Sequence, residues 1–204
     1  MFSARAEFER RASEIDEYID YLEHLEKQGG VSVTLMNTMK SSALLMMYNL
    51  VESTMTNAMQ DIFDHIKTTK TTFDSLTDKM KEVVLNMTKK QSAAEVVRKM
   101  SGDAMTLAVA CFERVGLFSG NIDTRKISDT VRDIGLSPRK GYSESVLLVI
   151  KDERNNLAHG TKSFSDCGKD YAANELRNSY EKIKVLLIKV ISDFEFFLQN
   201  KKYC

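Results

Sequence analysis

Apolar residues recur at three- and four-residue spacing along most of the chain, the period of helices that bury one side. Residues 4–27 carry Phe8, Ile15, Tyr18, Ile19, Leu22 and Leu25 at that spacing and run into Gly29-Gly30, which predicts a first amphipathic helix closed by glycine. Residues 33–67 predict a long second helix that is apolar on more than one side. Met36, Met39, Ala43, Met47, Leu50, Ala58 and Ile62 make one stripe, and Leu45, Tyr48, Met55 and Met59 make another. Such a helix belongs in the middle of a bundle. Its methionines read better as adaptable packing filler than as a binding groove.

Further along, residues 72–100 predict one or two helices around Phe73, Leu76, Met80, Val83, Val84 and Leu85. Residues 103–116 predict another, and 124–134 a short one ending at Gly135. A loop, LSPRKGY, leads to a helix over 144–159. A second loop, GTKSFSDCGKD, precedes a long final helix over 171–199, whose Ile183, Leu186, Leu187, Val190, Ile191, Phe194, Phe197 and Leu198 supply another core face. With no alternating strand pattern, no internal repeat and no low-complexity linker, the expectation is one all-α antiparallel bundle over residues 1–204, with additional short helices.

Composition sharpens this picture. One proline and eleven methionines in 204 residues leave few helix breakers among many straight-chain residues. The 29 basic and 29 acidic residues cancel, which argues against coating nucleic acid or an anionic membrane by bulk charge while leaving a local basic cleft open. Cys111, Cys167 and Cys204 form no C-x-x-C pair, so a reduced chain without a zinc site is expected, and no cofactor or metal is implied. The charged start MFSARAEFERRASEIDEY lacks an apolar signal region, and no apolar run approaches the ~20 residues of a membrane span, so the cytoplasm is the expected location.

Two charged residues fall on apolar stripes. Glu52 stands four residues after Tyr48 and three before Met55, where an unpaired carboxylate would be costly. It lies either at a wet bundle edge or beside a buried cation. Arg154 is the matching cation: projected at about 100° per residue, it falls between Ile150 and Leu147 on the side shared with Val146 and Leu157. His159, five residues later, diverges from Arg154 by about 140° on a regular helix. The two can meet only if the helix end frees His159 or a second copy of the chain supplies one of the groups. Otherwise His159 simply favours the negative helix end, with Gly160 as a left-handed cap. His24, between Glu23 and Glu26, and His65, near a helix end, have similarly ordinary readings.

The run Arg154-Asn155-Asn156-Leu157-Ala158-His159 resembles the R-x4-6-H signature of the HEPN superfamily (higher eukaryotes and prokaryotes nucleotide-binding). The LMMYNLVEST segment, GNIDTRKISDTVRDIG ahead of the motif and RNNLAHGTKSFSDCGKDY after it resemble the small stand-alone bacterial MAE-type branch, across most of the chain. The resemblance implies a metal-independent endoribonuclease, working as a homodimer with two motifs facing one cleft. It also implies a toxin of a toxin–antitoxin or phage-defence system, with a possible cognate antitoxin protein. Arg154 and His159 would be catalytic, with Asn155 and Glu52 supporting. Histidine suits proton transfer near neutrality, and an arginine fork suits the charge of a phosphorane formed by 2′-OH attack. Arg139, Lys140, Lys151 and Lys162 are the candidate RNA contacts, opposed by Asp152 and Glu153. Because of that modest charge, a catalytically silent RNA- or nucleotide-binding or assembly module is the alternative. TRKISDTVRDIGLSPRKGY also resembles a helix-turn-helix, but its recognition helix would be the apolar SVLLVI, which cannot face a groove, so DNA is not an expected partner.

Overall fold

The computed structural model describes residues 2–88, 92, 118, 121–138 and 145–204. Among these, seven α-helices are present and no strand: α1 (Ser3–Gln28), α2 (Val33–Thr68), α3 (Asp78–Thr88), α4 (Thr124–Asp133), α5 (Ser145–Ala158), α6 (Phe164–Gly168) and α7 (Ala173–Gln199), with a 3-10 turn at Phe73–Ser75. The expected helix over 103–116, the later part of the stretch 72–100, Cys111, and the candidate contacts Arg139 and Lys140 lie outside the described residues.

The α1 stripe of Ala4, Phe8, Ala12, Ile15, Ile19 and Leu22 is fully buried, and α1 ends where Gly29 turns to φ 72°. The Ser32 side chain accepts from the Leu35 amide and starts α2. That short turn folds α2 back along α1. Asp61, late in α2, accepts from the Ser3 and Ala4 amides at the start of α1, and Tyr18 donates to the Met39 carbonyl nearer the turn. The pairing is antiparallel, and one carboxylate from α2 thereby satisfies two orphan donors of α1. α7 also runs antiparallel to α1. Arg5, at the start of α1, clasps Glu195 near the end of α7 through two hydrogen bonds, and Arg177, early in α7, meets Asp16 at the middle of α1.

α2 occupies the centre, in contact with α1, α5, α6 and α7. Both stripes read from its sequence go inward: Ala43, Met47, Leu50, Ala58 and Ile62 are buried, as are Tyr48, Met55 and Met59, whereas Leu45, Met36 and Met39 are only partly covered. The methionines therefore serve mainly as core. α7 contributes its expected apolar face, and the chain then returns so that Tyr203, 1% exposed, packs on Phe197 and His65 while its carbonyl accepts from the Thr77 amide.

One expectation needs correction. The segment GTKSFSDCGKD, expected to be a loop, contains α6, capped by the Ser163 hydroxyl on the Asp166 amide. Its polar and small residues hid a helix that is held by tertiary contact rather than by an apolar period. Cys167 and Gly168 are buried, and a Cβ added at Gly168 would stand 1.8 Å from the Asn37 carbonyl oxygen of α2. Backbone meets backbone there, which only glycine permits.

Candidate functional site around Arg154 and His159

α5 packs through Leu147 and Ile150, with Val146 and Leu157 partly buried against the same core. Arg154 lies on this inner side, as its spacing requires, and its guanidinium carbon sits 5.2 Å from the centroid of the Tyr48 ring, over the ring. An aromatic face attracts the cation electrostatically, and the guanidinium carries five N–H donors. One of those donors, Nη1, reaches the Asn155 side-chain oxygen at 3.1 Å. Glu52 is half-buried on α2, one turn from Tyr48. Glu52 and Arg154 both act electrostatically on the Tyr48 hydroxyl, from two different helices, so the two residues paired by sequence reasoning converge on one tyrosine.

Tyr48 is 1% exposed, and its hydroxyl accepts from the Ile122 amide at 3.0 Å. Burial pushes its phenol above the ordinary range; Glu52 adds to this, while the Ile122 amide, Arg154 and Lys151 oppose it. The phenol is therefore neutral near pH 7. Beside it, Lys151 donates to Asp123 at 2.9 Å. Asp123 also caps α4 through the Lys126 amide. Burial alone would raise the Asp123 carboxyl, but the Lys126 amide and the Lys151 ammonium outweigh it and hold it below its usual value.

His159 stands at the other side of the helix. Its amide still bonds the Asn155 carbonyl at 2.9 Å, so helical geometry continues to this residue. Gly160 follows at φ 69°, with Thr161 N bonding Asn156 O and Gly160 N bonding Leu157 O. This is the paired hydrogen-bond pattern of a left-handed helix stop, and it leaves the imidazole exposed. Arg154 thus faces inward and His159 outward, about 140° apart around the helix. The helix end does not release His159 to turn back.

Of the candidate RNA contacts that are described, Lys162 is held by Glu153 at 2.8 Å and Lys151 by Asp123. Glu153 was read from sequence only as an opposing charge, yet it organises the region. Its carboxylate, 13% exposed, accepts from Lys162, from Asn156 at 3.4 Å and from the Cys167 thiol at 3.4 Å. Burial would push Glu153 up, but the hydrogen bonds from Lys162, Cys167 and Asn156 prevail and hold it below the usual carboxylate range. Burial, with Glu153 adding to it, pushes the Tyr171 hydroxyl up to about 12. The signal was present in spacing: Val146, Ile150, Glu153 and Leu157 step by four, three and four, which puts Glu153 at the edge of the buried face. Tyr48 was visible only as a stripe member.

Among the described residues, no group of three or more His, Cys, Asp or Glu side chains is placed to hold a metal ion, and no helix is long and apolar enough to cross a membrane. Compared with known proteins, the chain has no match among the curated proteins or the solved structures. A family model does match, that of HEPN_MAE_28990, described as a HEPN-like domain, and it aligns with residues 4–203. That covers the whole bundle, from the α1 stripe through the Arg154–His159 helix to the returning Tyr203, and the chain therefore belongs to the HEPN_MAE_28990 family of HEPN-like domains.

Proposed function

We propose that the protein is an endoribonuclease that cleaves RNA by 2′-OH attack without a metal, as a homodimer, in a toxin–antitoxin or phage-defence setting. The observation that carries this reading is the ordering of the motif. Arg154 lies over the Tyr48 ring and is bonded to Asn155, while His159 ends the same helix exposed to solvent. Arg154 would hold the charge of the phosphorane. His159 would take the 2′-OH proton and return one to the leaving oxygen. Asn155, already on the guanidinium, would keep its fork oriented. Because the two groups face apart on one helix, the reading assigns each cleft residues from two copies. Around α5, Leu148, 50% exposed, lies within about 20° of His159, and Val149, 46% exposed, lies about 80° from it; these apolar side chains suit contact with a second copy.

The test is RNA cleavage in excess EDTA. Expected are 2′,3′-cyclic phosphate ends, loss of cleavage when the 2′-OH at the cut site is replaced by hydrogen, and loss in His159→Ala and in Arg154→Ala with the fold intact. Proton transfer is worth about 10²–10⁴ in rate, and Arg154 a comparable amount. Cleavage that requires metal and survives both substitutions would refute the mechanism. A second reading, a catalytically silent binding or assembly module, is favoured by one observation: Lys151 and Lys162 are both engaged by internal carboxylates. Wild-type protein that cleaves no RNA under these conditions and is harmless on expression would select it.

A further inference from the structure

We propose that Tyr48 is a positioning residue for Arg154, holding the guanidinium over a fixed aromatic ring so that the cation is in place when the scissile phosphate arrives. Only the consequence for catalysis rests on the ribonuclease reading. The placement stands on the geometry of two helices. α2 brings Tyr48 to full burial with its hydroxyl tied to the Ile122 amide at 3.0 Å, so the ring has one orientation. α5 brings Arg154 over that ring at 5.2 Å. The negative face of the ring attracts the cation at that position. The Nη1–Asn155 bond adds a second point of attachment. A flexible side chain is thereby ordered before any substrate arrives. Preorganised charge of this kind acts on the transition state without reorganisation during the reaction.

The geometry around the ring explains why tyrosine suits this position better than an aliphatic residue. The hydroxyl gives the buried Ile122 amide a partner, and that amide lies one residue before Asp123, which binds Lys151 of α5. The same side chain therefore locates the arginine through its face and the α4 entry through its oxygen.

Two substitutions separate these parts. Tyr48→Phe keeps the ring and loses the hydroxyl; Tyr48→Leu keeps apolar bulk and loses the ring. The first readout needs no activity. In NMR spectra of isotopically labelled protein, with the Arg154 side-chain signals assigned by Arg154→Lys, the aromatic ring should displace those signals in wild type and in Tyr48→Phe. In Tyr48→Leu they should move to the position of an unstacked arginine, while circular dichroism reports an intact helical fold. The second readout is steady-state cleavage. Tyr48→Leu should lower kcat by about two- to thirtyfold, the range of a cation–π contact, with little change in KM. Tyr48→Phe should recover a substantial part of that loss. Arg154 signals that are the same in Tyr48→Phe and Tyr48→Leu overturn the proposal, whether or not the protein cleaves RNA. A shifted wild-type arginine in a protein that cleaves nothing upholds the positioning and refutes the ribonuclease reading instead.

Discussion

Replacing Gly168 by alanine tests whether the segment after the motif is built into the core. The added Cβ would stand 1.8 Å from Asn37 O, 2.6 Å from Asn37 C and 2.9 Å from Asn37 Cα. Ordinary carbon–oxygen contacts close no nearer than about 3.3 Å, so α6 would have to withdraw from α2 by about 1.5 Å. The obstacle is main chain inside a 36-residue helix, which cannot rotate aside as a side chain can. Withdrawal would also strain the Ser41 hydroxyl bond to the Phe164 carbonyl and the Glu153–Cys167 contact. Overpacking a filled site costs about 1–3 kcal/mol, and a rigid backbone neighbour places this case near about 3 kcal/mol. At this chain length that lowers Tm by about 6–12 °C. Gly160→Ala is the comparison, because no described residue lies within 4 Å of its added Cβ and the φ of 69° opposes it, a cost of about 1–2 kcal/mol. Calorimetry should therefore rank Gly168→Ala well below Gly160→Ala, and hydrogen exchange should show residues 163–171 opening first in the former. A Gly168→Ala protein that melts within about 1 °C of wild type, with unchanged exchange, would refute the backbone contact.

Further outcomes follow from named contacts. Glu153→Gln should cost about 2 kcal/mol at pH 7, as charge-assisted bonds to Lys162 are lost. Because the folded carboxyl is held below its usual value, its stabilisation is present above about pH 4.3 and fades as pH falls further; urea melts showing a constant gap from pH 7 to pH 3 would contradict this. Thr54 is buried with no hydrogen-bond partner for its hydroxyl among the described residues, so Thr54→Val should be neutral or gain about 1 kcal/mol in denaturant melts; a clear loss would reveal a partner. Glu52→Gln should lower stability by about 1 kcal/mol and reduce any cleavage rate through Arg154, and unchanged melting and activity would exclude that role. Leu148→Asp, at a half-exposed position on the outer face of α5, should shift the protein to monomer in analytical ultracentrifugation with little change in Tm; a dimer of undiminished affinity would place the interface elsewhere.

Periodicity made the long elements legible. Where one stripe is apolar and the caps are Gly29, Ser32 or Gly160, local pattern and tertiary burial agree, so α1, α2, α5 and α7 fall within a few residues of their expected bounds. α6 was illegible because its five residues carry no apolar period, and its stability comes from Asn37 and Ser41 of a helix more than 120 positions away. The candidate site divides the same way. Arg154 and His159 could be singled out because their types and spacing are unusual. Tyr48 could not, since a tyrosine on an apolar stripe is ordinarily core, and only the three-dimensional approach of α5 gives its ring a cation to hold. Glu153 was hidden by its charge, which suggested solvent although its register placed it at the buried edge.

The five-residue step between Arg154 and His159 carries a consequence that a four-residue step would not. At four residues the two side chains would stack on one face and could address one phosphate together. At five they part by about 140°, and the intact bond from the His159 amide to the Asn155 carbonyl keeps them parted. The helix can then assign its inner face to folding and its outer face to encounter. Arg154 gains an ordered position from Tyr48 and the core, and His159 gains access to solvent at the helix stop. On the proposed reading, neither advantage becomes chemistry until another copy brings its histidine to this arginine. Specific activity would then fall on dilution below the dimer dissociation constant, and an interface placed on the α5 face would govern cleavage as directly as the catalytic groups do.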